Sequence, residues 1–288
     1  MKAASFDFIK ASSLDDVFDA FDQYGDDAVI IAGGQSLMPA LNMRLSAPSH
    51  LIDIGSVPGL GEILVTGGSL RIGALARHRE VASSPEVAAH APLIAKAMPL
   101  IAHAAIRNRG TFGGSLANAD PASELPACTL ALGATFNIAG RGGTRQVAAS
   151  DFFQGLYETA IGEGEVLVGV DIPVIQDGEK AAFSELVRRS GDYATVGVAA
   201  QAQVTGKALS NVRLAFFAVA DRPLLAAAAA AAIEGRACTA EVIKAAQDDL
   251  GRDLAGIAGD VHTEAATKLH LARVLLGRAL NELTGEAA

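Results

Sequence analysis

Two glycine-bearing segments hold the residue types that could grip a phosphorylated ligand. The first is Ala32-Gly33-Gly34-Gln35-Ser36-Leu37, directly after the apolar run 28–32. A buried strand that ends in two glycines and a helix start exposes several backbone N–H groups with no Cβ in the way, and such a nest suits a pyrophosphate. The spacing G-x-G-x-x-G is absent, so the Rossmann type of dinucleotide site is not supported. Taken alone, the segment also reads as an ordinary strand-to-helix turn. The second segment, 109–124, reads RGTFGGSLANADPASE: three glycines, three hydroxyl side chains, one Asn and two carboxylates, with only Phe112 and Leu116 as sizeable apolar side chains. Small residues let a backbone approach a ligand, hydroxyls and Asn supply hydrogen bonds, and a carboxylate can hold a ribose diol. The rival reading is a long surface loop.

Composition narrows the classes that such segments could serve. The chain has 288 residues, 50% of them hydrophobic and 19% charged, which suits a folded protein of two or three subdomains. A formal charge of −9, no Lys/Arg cluster, no Trp and only 5% aromatics argue against nucleic acid as a partner. The charged N-terminus is not read as a signal peptide, and no apolar run is long enough for a membrane span, so a cytoplasmic location is expected. Two cysteines, Cys128 and Cys238, leave no disulfide framework and no iron–sulfur or zinc ligation; both are expected to be inert packing residues.

The elements that must position the two segments follow from periodicity. A strand at 6–9, a helix capped by Ser12-Ser13 with Leu14, Val17, Phe18 and Phe21 on one face, a buried strand at 28–32, a short helix at 37–45 and a strand at 51–54 make a βαβ-like first unit, 1–56. A second unit, 57–176, holds a hairpin around Gly67-Gly68, helices at 92–102 and 123–132, an irregular stretch 107–121 between them, a second hairpin around 140–143 and a strand at 166–172. The third unit, 177–288, opens after a loop at Gln176-Asp177-Gly178. It has a strand with Val198, Ala200, Ala202 and Val204 on one face against Gln201 and Gln203, then a strand at 212–219. Helices at 222–233 and 239–250 follow, with a last helix striped by Leu269, Ala272, Leu276, Leu280 and Leu283.

The pair AGGQSLMPALNMRL (32–45) and IRNRGTFGGSLANADPASELPA (106–127) resembles, in order and spacing, the two FAD-binding segments of the molybdenum hydroxylase family. More closely, it is similar to the medium, flavoprotein subunit of carbon monoxide dehydrogenase-type and xanthine dehydrogenase-type enzymes. The segment RRSGDYA (188–194) is similar to the family's stretch near the flavin ring. The resemblance implies an α+β protein: a two-subdomain FAD-binding fold of the vanillyl-alcohol-oxidase type followed by a C-terminal α+β domain. It also implies a set of FAD contacts. Ile30, Ile31, Ala32, Gly33, Gly34, Gln35, Ser36 and Leu37 would line the pyrophosphate. Thr111, Gly114, Ser115 and Asn118 would form the opposite wall, Glu124 would hold the adenosine ribose, and Val166 and Leu167 would sit by the adenine. Ile101, Ala102 and Ile106 would pack around the cofactor, and Tyr193 would approach the isoalloxazine. Gly33 and Gly114 are expected to be the least replaceable. One departure stands out: relatives commonly carry Lys where this chain has Glu185, which leaves open whether Arg188 or Arg189 supplies a cation near the flavin.

In such enzymes the molybdenum cofactor and 2Fe–2S iron–sulfur clusters lie on partner subunits, one large and one small. The resemblance therefore implies an electron-transfer subunit that passes electrons from the clusters through FAD to an external acceptor, within a dimer of heterotrimers. Hydroxylation of the substrate, with an N-heteroaromatic compound favoured, would occur on the large subunit. The alternatives are a self-contained FAD oxidoreductase acting directly on a small substrate, and a chain that serves assembly only. No catalytic side chain and no metal ligand is expected on this chain: its six His are scattered, His103 reads as structural, and Ser36 and Ser115 have no evident His/Asp partner.

Overall fold

Ser13 starts the first helix, Leu14–Tyr24, by a reciprocal cap: its hydroxyl accepts the Asp16 N–H at 3.1 Å while the Asp16 carboxylate accepts the N–H groups of Ser12 and Ser13. The helix lies against a parallel sheet in which His50–Asp53 runs between Asp7–Lys10 and Ala28–Ile31. The computed structural model describes residues 2–285. The architecture is α+β, as the sequence predicts, with larger antiparallel sheets following this small one.

The second sheet is ordered Ile63–Thr66, Ser69–Gly73, Val166–Pro173, Thr135–Gly140, Gly143–Ala148. Its central strand, Val166–Pro173, joins the two predicted hairpins. Val17, Phe18, Ile52 and Ile54 of the first unit share a core with Val166 and Val168 of this strand. The first two sheets therefore meet along an apolar seam. The helix Glu124–Leu132 is buried at every position, which fits its lack of a polar face.

The third sheet pairs Glu179–Leu186, Val196–Thr205 and Ala208–Phe217, with short edges at Leu224–Leu225 and Arg236–Ala237. Alternation sends Phe183, Ala199, Ala215 and Phe217 to one core, shared with Glu124–Leu132, and Val196, Val198, Ala200, Leu214 and Phe216 to another beneath Ala240–Asp253 and Ala265–Thr284. A Cβ at Gly197 would fall on the Phe217 ring.

Several expectations are corrected. The helix placed at 92–102 stops at Ala97; the chain then turns, with Ala102 at φ +47, and the Arg107 guanidinium takes up the carbonyls of Ile101 and Ala102 at 2.8 Å. The stretch 107–121 is not wholly irregular. It contains the helix Phe112–Asn118, capped by the Thr111 hydroxyl, whose glycines hid it because Gly is a poor helix former. Gly113 is required there by packing, since a Cβ would stand 2.5 Å from that of Ala74. The helix at 37–45 shortens to Leu37–Asn42, and that at 222–233 begins only at Ala227. Asp253 sets that later start by accepting the N–H groups of Ala228 and Ala229. The strand Glu179–Leu186 and the small hairpin Phe153–Gly155/Glu158–Thr159 were not anticipated. Among the described residues no helix is long and apolar enough to cross a membrane, and no group of three His, Cys, Asp or Glu could hold a metal.

Candidate functional site

The two glycine segments, far apart in sequence, are pressed together in space. A Cβ on Gly33 would run into the Arg109 carbonyl oxygen and stand 2.8 Å from Gly110 Cα. The Arg77 guanidinium donates to that same Arg109 carbonyl, and the backbone of 110–113 is laced to 74–78: His78 N–H to Gly110 O, Phe112 N–H to Ala76 O, Gly113 N–H to Ala74 O. The Gly33–Gly34 turn thus lies against a second backbone that its own hydrogen bonds hold still. Gly34 sits at φ +70, where a β-carbon is disfavoured.

Beside this crossing a cavity of about 640 Å³ opens along the seam of the first two sheets. Its wall includes Ile30, Ala32, Gly33, Gly34, Gln35, Ser36, Leu37, Ile101, Ala102, Ile106, Thr111, Gly114, Ser115, Asn118, Glu124, Val166, Leu167 and Tyr193. Of the residues anticipated from sequence only Ile31 is missing. Ile31 lies instead in a second hollow with Phe8, Met38 and Asp53. Among the described residues, none accepts a hydrogen bond from the backbone N–H of Gly34, Gln35 or Ser36, and none bonds the side chains of Ser36, Ser115 or Asn118. The site thus presents a row of free donors on glycine-bared backbone, beside apolar walls. A long ligand with a pyrophosphate at its centre and planar rings at its ends fits this donor set.

Gly114 is less constrained than Gly33. A Cβ there meets only the Thr111 hydroxyl, 2.6 Å away, which is the cap of its own helix.

Glu124, which the resemblance gives to the adenosine ribose, lines the cavity. It is buried at the start of its helix, within electrostatic reach of Asp120 and Tyr193. Burial, and then Asp120, push its carboxyl up to about 7. Behind it Glu185, also raised to about 7 by burial and by Glu124, keeps one oxygen with no partner among the described residues. Neither Arg188 nor Arg189 lines the cavity; Arg188 reaches toward His262 Nδ1 at 3.4 Å.

His78 escaped notice in the sequence because nothing in its spacing marks it. It is buried on the cavity wall, 3.0 Å from the Thr111 carbonyl through Nε2. A carbonyl only accepts, so Nε2 carries the proton and Nδ1 is left as a lone pair without a partner among the described residues. Burial lowers its pKa to about 4. The thiol of Cys128, wholly buried, is pushed up by burial and is unreactive.

These groups predict a pH dependence. Unfolded, Glu124 and Glu185 ionise near 4.5; folded, they keep their protons to about 7. The stability they contribute is complete below 4.5 and is lost as the pH rises through about 7. His78 opposes them: its contribution is complete above 6.5 and is lost as the pH falls through about 4. Two carboxylates outweigh one imidazole. The Tm of the flavin-free chain should therefore fall between about pH 5 and pH 7, and fall less in Glu185→Gln. Thermal melts across that range check it; identical slopes in the two proteins would show that Glu185 does not hold a proton.

The residues 4–175 match the family described as the FAD binding domain in molybdopterin dehydrogenase, and 181–283 match the CO dehydrogenase flavoprotein C-terminal domain. The chain is 36% identical over 276 residues to the carbon monoxide dehydrogenase medium chain of Hydrogenophaga pseudoflava, covering 96% of each. It is 36% identical over 282 residues to the nicotine 6-hydroxylase medium subunit of Paenarthrobacter nicotinovorans, covering 98% of each. A solved structure of the Hydrogenophaga pseudoflava carbon monoxide dehydrogenase lacking the Mo-pyranopterin moiety superimposes with a TM-score of 0.95 at 38% identity, covering 100% of each chain.

Proposed function

Because the chain belongs to the family of FAD-binding flavoprotein subunits of molybdopterin dehydrogenases, we propose that its cavity holds FAD as the electron-transfer site of a heteromeric molybdenum hydroxylase. The observation that carries the reading is the crossing of Gly33 with Gly110, which leaves the amides of Gly34, Gln35 and Ser36 unpaired beside the hydroxyls of Ser36 and Ser115. Those amides would bind the pyrophosphate, the hydroxyls and Asn118 the ribityl and phosphate oxygens, and Val166 and Leu167 the adenine. FAD, once bound, supplies one- and two-electron chemistry that no side chain of this protein can perform.

The residues of this chain bind, orient and shield. Apolar walls from Ile101, Ile106 and Leu167 exclude water, and Glu124 presents a carboxyl that still holds its proton near neutral pH. The partners we propose are a large subunit with the molybdenum cofactor and a small subunit with 2Fe–2S clusters, assembled as a dimer of heterotrimers in the cytoplasm. Two relatives named for carbon monoxide and for nicotine show how far substrates diverge at this similarity, and an N-heteroaromatic substrate is the one we favour. The domain division we propose is 1–56, 57–176 and 177–288, which the separate sheets of three, five and five strands support.

The test is purification of the full chain with its native partners, followed by a visible spectrum and metal analysis. One flavin per chain, released to the supernatant by acid, is expected, since neither glycine segment contains a His or Cys to bond it covalently. Flavin that stays with the pellet would overturn the non-covalent site. A chain purified with FAD but turning over a substrate without molybdenum or iron would favour the self-contained oxidoreductase.

A further inference from the structure

The cavity carries no cation on its wall. Among the described residues its ionisable acidic lining is Glu124, Glu165 and Asp192, and neither Lys nor Arg faces them there. The chain as a whole is anionic too, with a formal charge of −9. Glu165 is matched by Arg145, whose guanidinium takes its two oxygens at 2.7 and 2.6 Å. A pyrophosphate brings further negative charge into this setting. Bared backbone amides offset part of it, and the remainder is costly beside walls of low dielectric.

One guanidinium stands directly behind the wall. Arg77 donates to the Arg109 carbonyl, the same oxygen that lies against Gly33. Its main chain is fixed there as well: Arg77 bridges to Thr111, and the His78 N–H donates to Gly110 O at 2.9 Å. Among the described residues no carboxylate pairs with the Arg77 side chain. Glu80 accepts the Arg77 main-chain N–H at 2.9 Å and pairs with Arg79 instead. Arg109 itself lines the second hollow and not the cavity. Arginine stays charged at every working pH, so Arg77 brings an unmatched positive charge to the crossing. The need for it is local. A carbonyl oxygen is the negative end of its dipole, and beside the Gly33–Gly34 turn it opposes a phosphate unless a cation holds it.

We propose that Arg77 supplies the cation of the pyrophosphate site from behind the wall: by holding the Arg109 carbonyl it both fixes the Gly33 crossing and offsets the negative charge that meets the phosphates. The inference rests on the FAD reading above. Arg77 does not touch the cofactor in this account; it is a positioning residue that acts through Arg109 O and through its field. Its effect is therefore confined to ligands that carry phosphate, and it weakens as salt screens the charge.

The experiment titrates the full chain, stripped of flavin, with FAD and separately with riboflavin, and follows flavin fluorescence at low and high salt. Arg77→Met should weaken FAD binding roughly tenfold, the factor that one hydrogen bond to a charged group commands. Arg77→Lys restores the charge on a similar stem and should bind FAD within about threefold of the parent. Added salt should narrow the gap between Arg77→Lys and Arg77→Met, since screening weakens a charge and leaves packing alone. Riboflavin, which has no phosphate, should be bound alike by the parent and Arg77→Met. Arg79→Gln, which removes a like charge from the exposed neighbour, should match the parent. Parent-like FAD affinity in Arg77→Met overturns the proposal, as do an equal loss of riboflavin binding and an Arg77→Lys no better than Arg77→Met. If Arg77→Met fails to fold by circular dichroism, Arg77→Gln takes its place in each comparison. A parent chain that binds no FAD would instead overturn the FAD reading.

Discussion

Alanine at position 33 is expected to strip the chain of FAD while leaving it folded. The added Cβ would meet the Arg109 carbonyl and Gly110 Cα, 2.8 Å away, and both are backbone atoms. Neither can swing aside as a side chain would, because Arg109 O is held by Arg77 and the following residues by the 74–78 segment. The two glycine segments must then part, and the unpaired amides of 34–36 lose their alignment with the opposite wall. Overpacking of this kind, concentrated on the binding geometry, should weaken FAD binding by roughly a hundredfold. Gly114→Ala should do less, because only the Thr111 cap yields; loss of such a cap is worth about 1 kcal/mol. Flavin-to-protein ratio after desalting, with circular dichroism to monitor the fold, distinguishes them. A Gly33→Ala chain that keeps full flavin would show that the crossing does not form the binding site.

Lys268→Met is expected to cost about 2–3 kcal/mol of stability. Lys268 is 7% exposed, and its Nζ donates to the Ala218 carbonyl at 2.8 Å and pairs with Asp260 at 2.8 Å. Methionine fills nearly the same volume, so packing survives while a buried carbonyl is left without a donor. The Asp260 carboxyl, held down to about 2 chiefly by its hydrogen bond from Lys268, should move back up toward the usual carboxylate range. Ala218 lies at φ +60 and donates to Pro121, next to Asp120, so the loss should also loosen the end of the cavity where Tyr193 sits. Denaturant titration of the loaded chain gives the stability, and NMR titration gives the Asp260 shift. A variant as stable as the parent would show that the Lys268 contacts are surface pairs of no weight.

Much of this protein can be read from local pattern alone. The period-2 alternation of 196–205, the Gly67-Gly68 and 140–143 hairpins and the stripe of Leu276, Leu280 and Leu283 are short-range signals, and they lead to strands, turns and a helix where the chain has them. The two glycine segments announced themselves by composition. The failures share a cause as well. Helix Phe112–Asn118 carries two glycines that local propensity counts against it, and only the fit of Gly113 on Ala74 explains their presence. The strand Glu179–Leu186 mixes charged and small residues, and becomes a strand because it pairs along its whole length with Val196–Thr205.

What the sequence by itself determined is the type of ligand: bared amides after a buried strand, hydroxyls and an Asn across from them, and too few cysteines for a cluster of its own. Direction and neighbourhood were decided by the tertiary structure. Ile31 goes to a second hollow with Phe8, Met38 and Asp53, elements remote in the chain. Glu124 keeps the company of Asp120, Glu185 and Tyr193, because electrostatic environment depends on distances through space between Glu124–Leu132, Glu179–Leu186 and the loop before Val196–Thr205. His78, a single imidazole in an unremarkable stretch, became part of the wall only when the 74–78 segment was laced to 110–113. Residue types carry chemistry, but desolvation and hydrogen-bond partners, which set the charge each group bears, come from elements that are remote in the chain and adjacent in the fold.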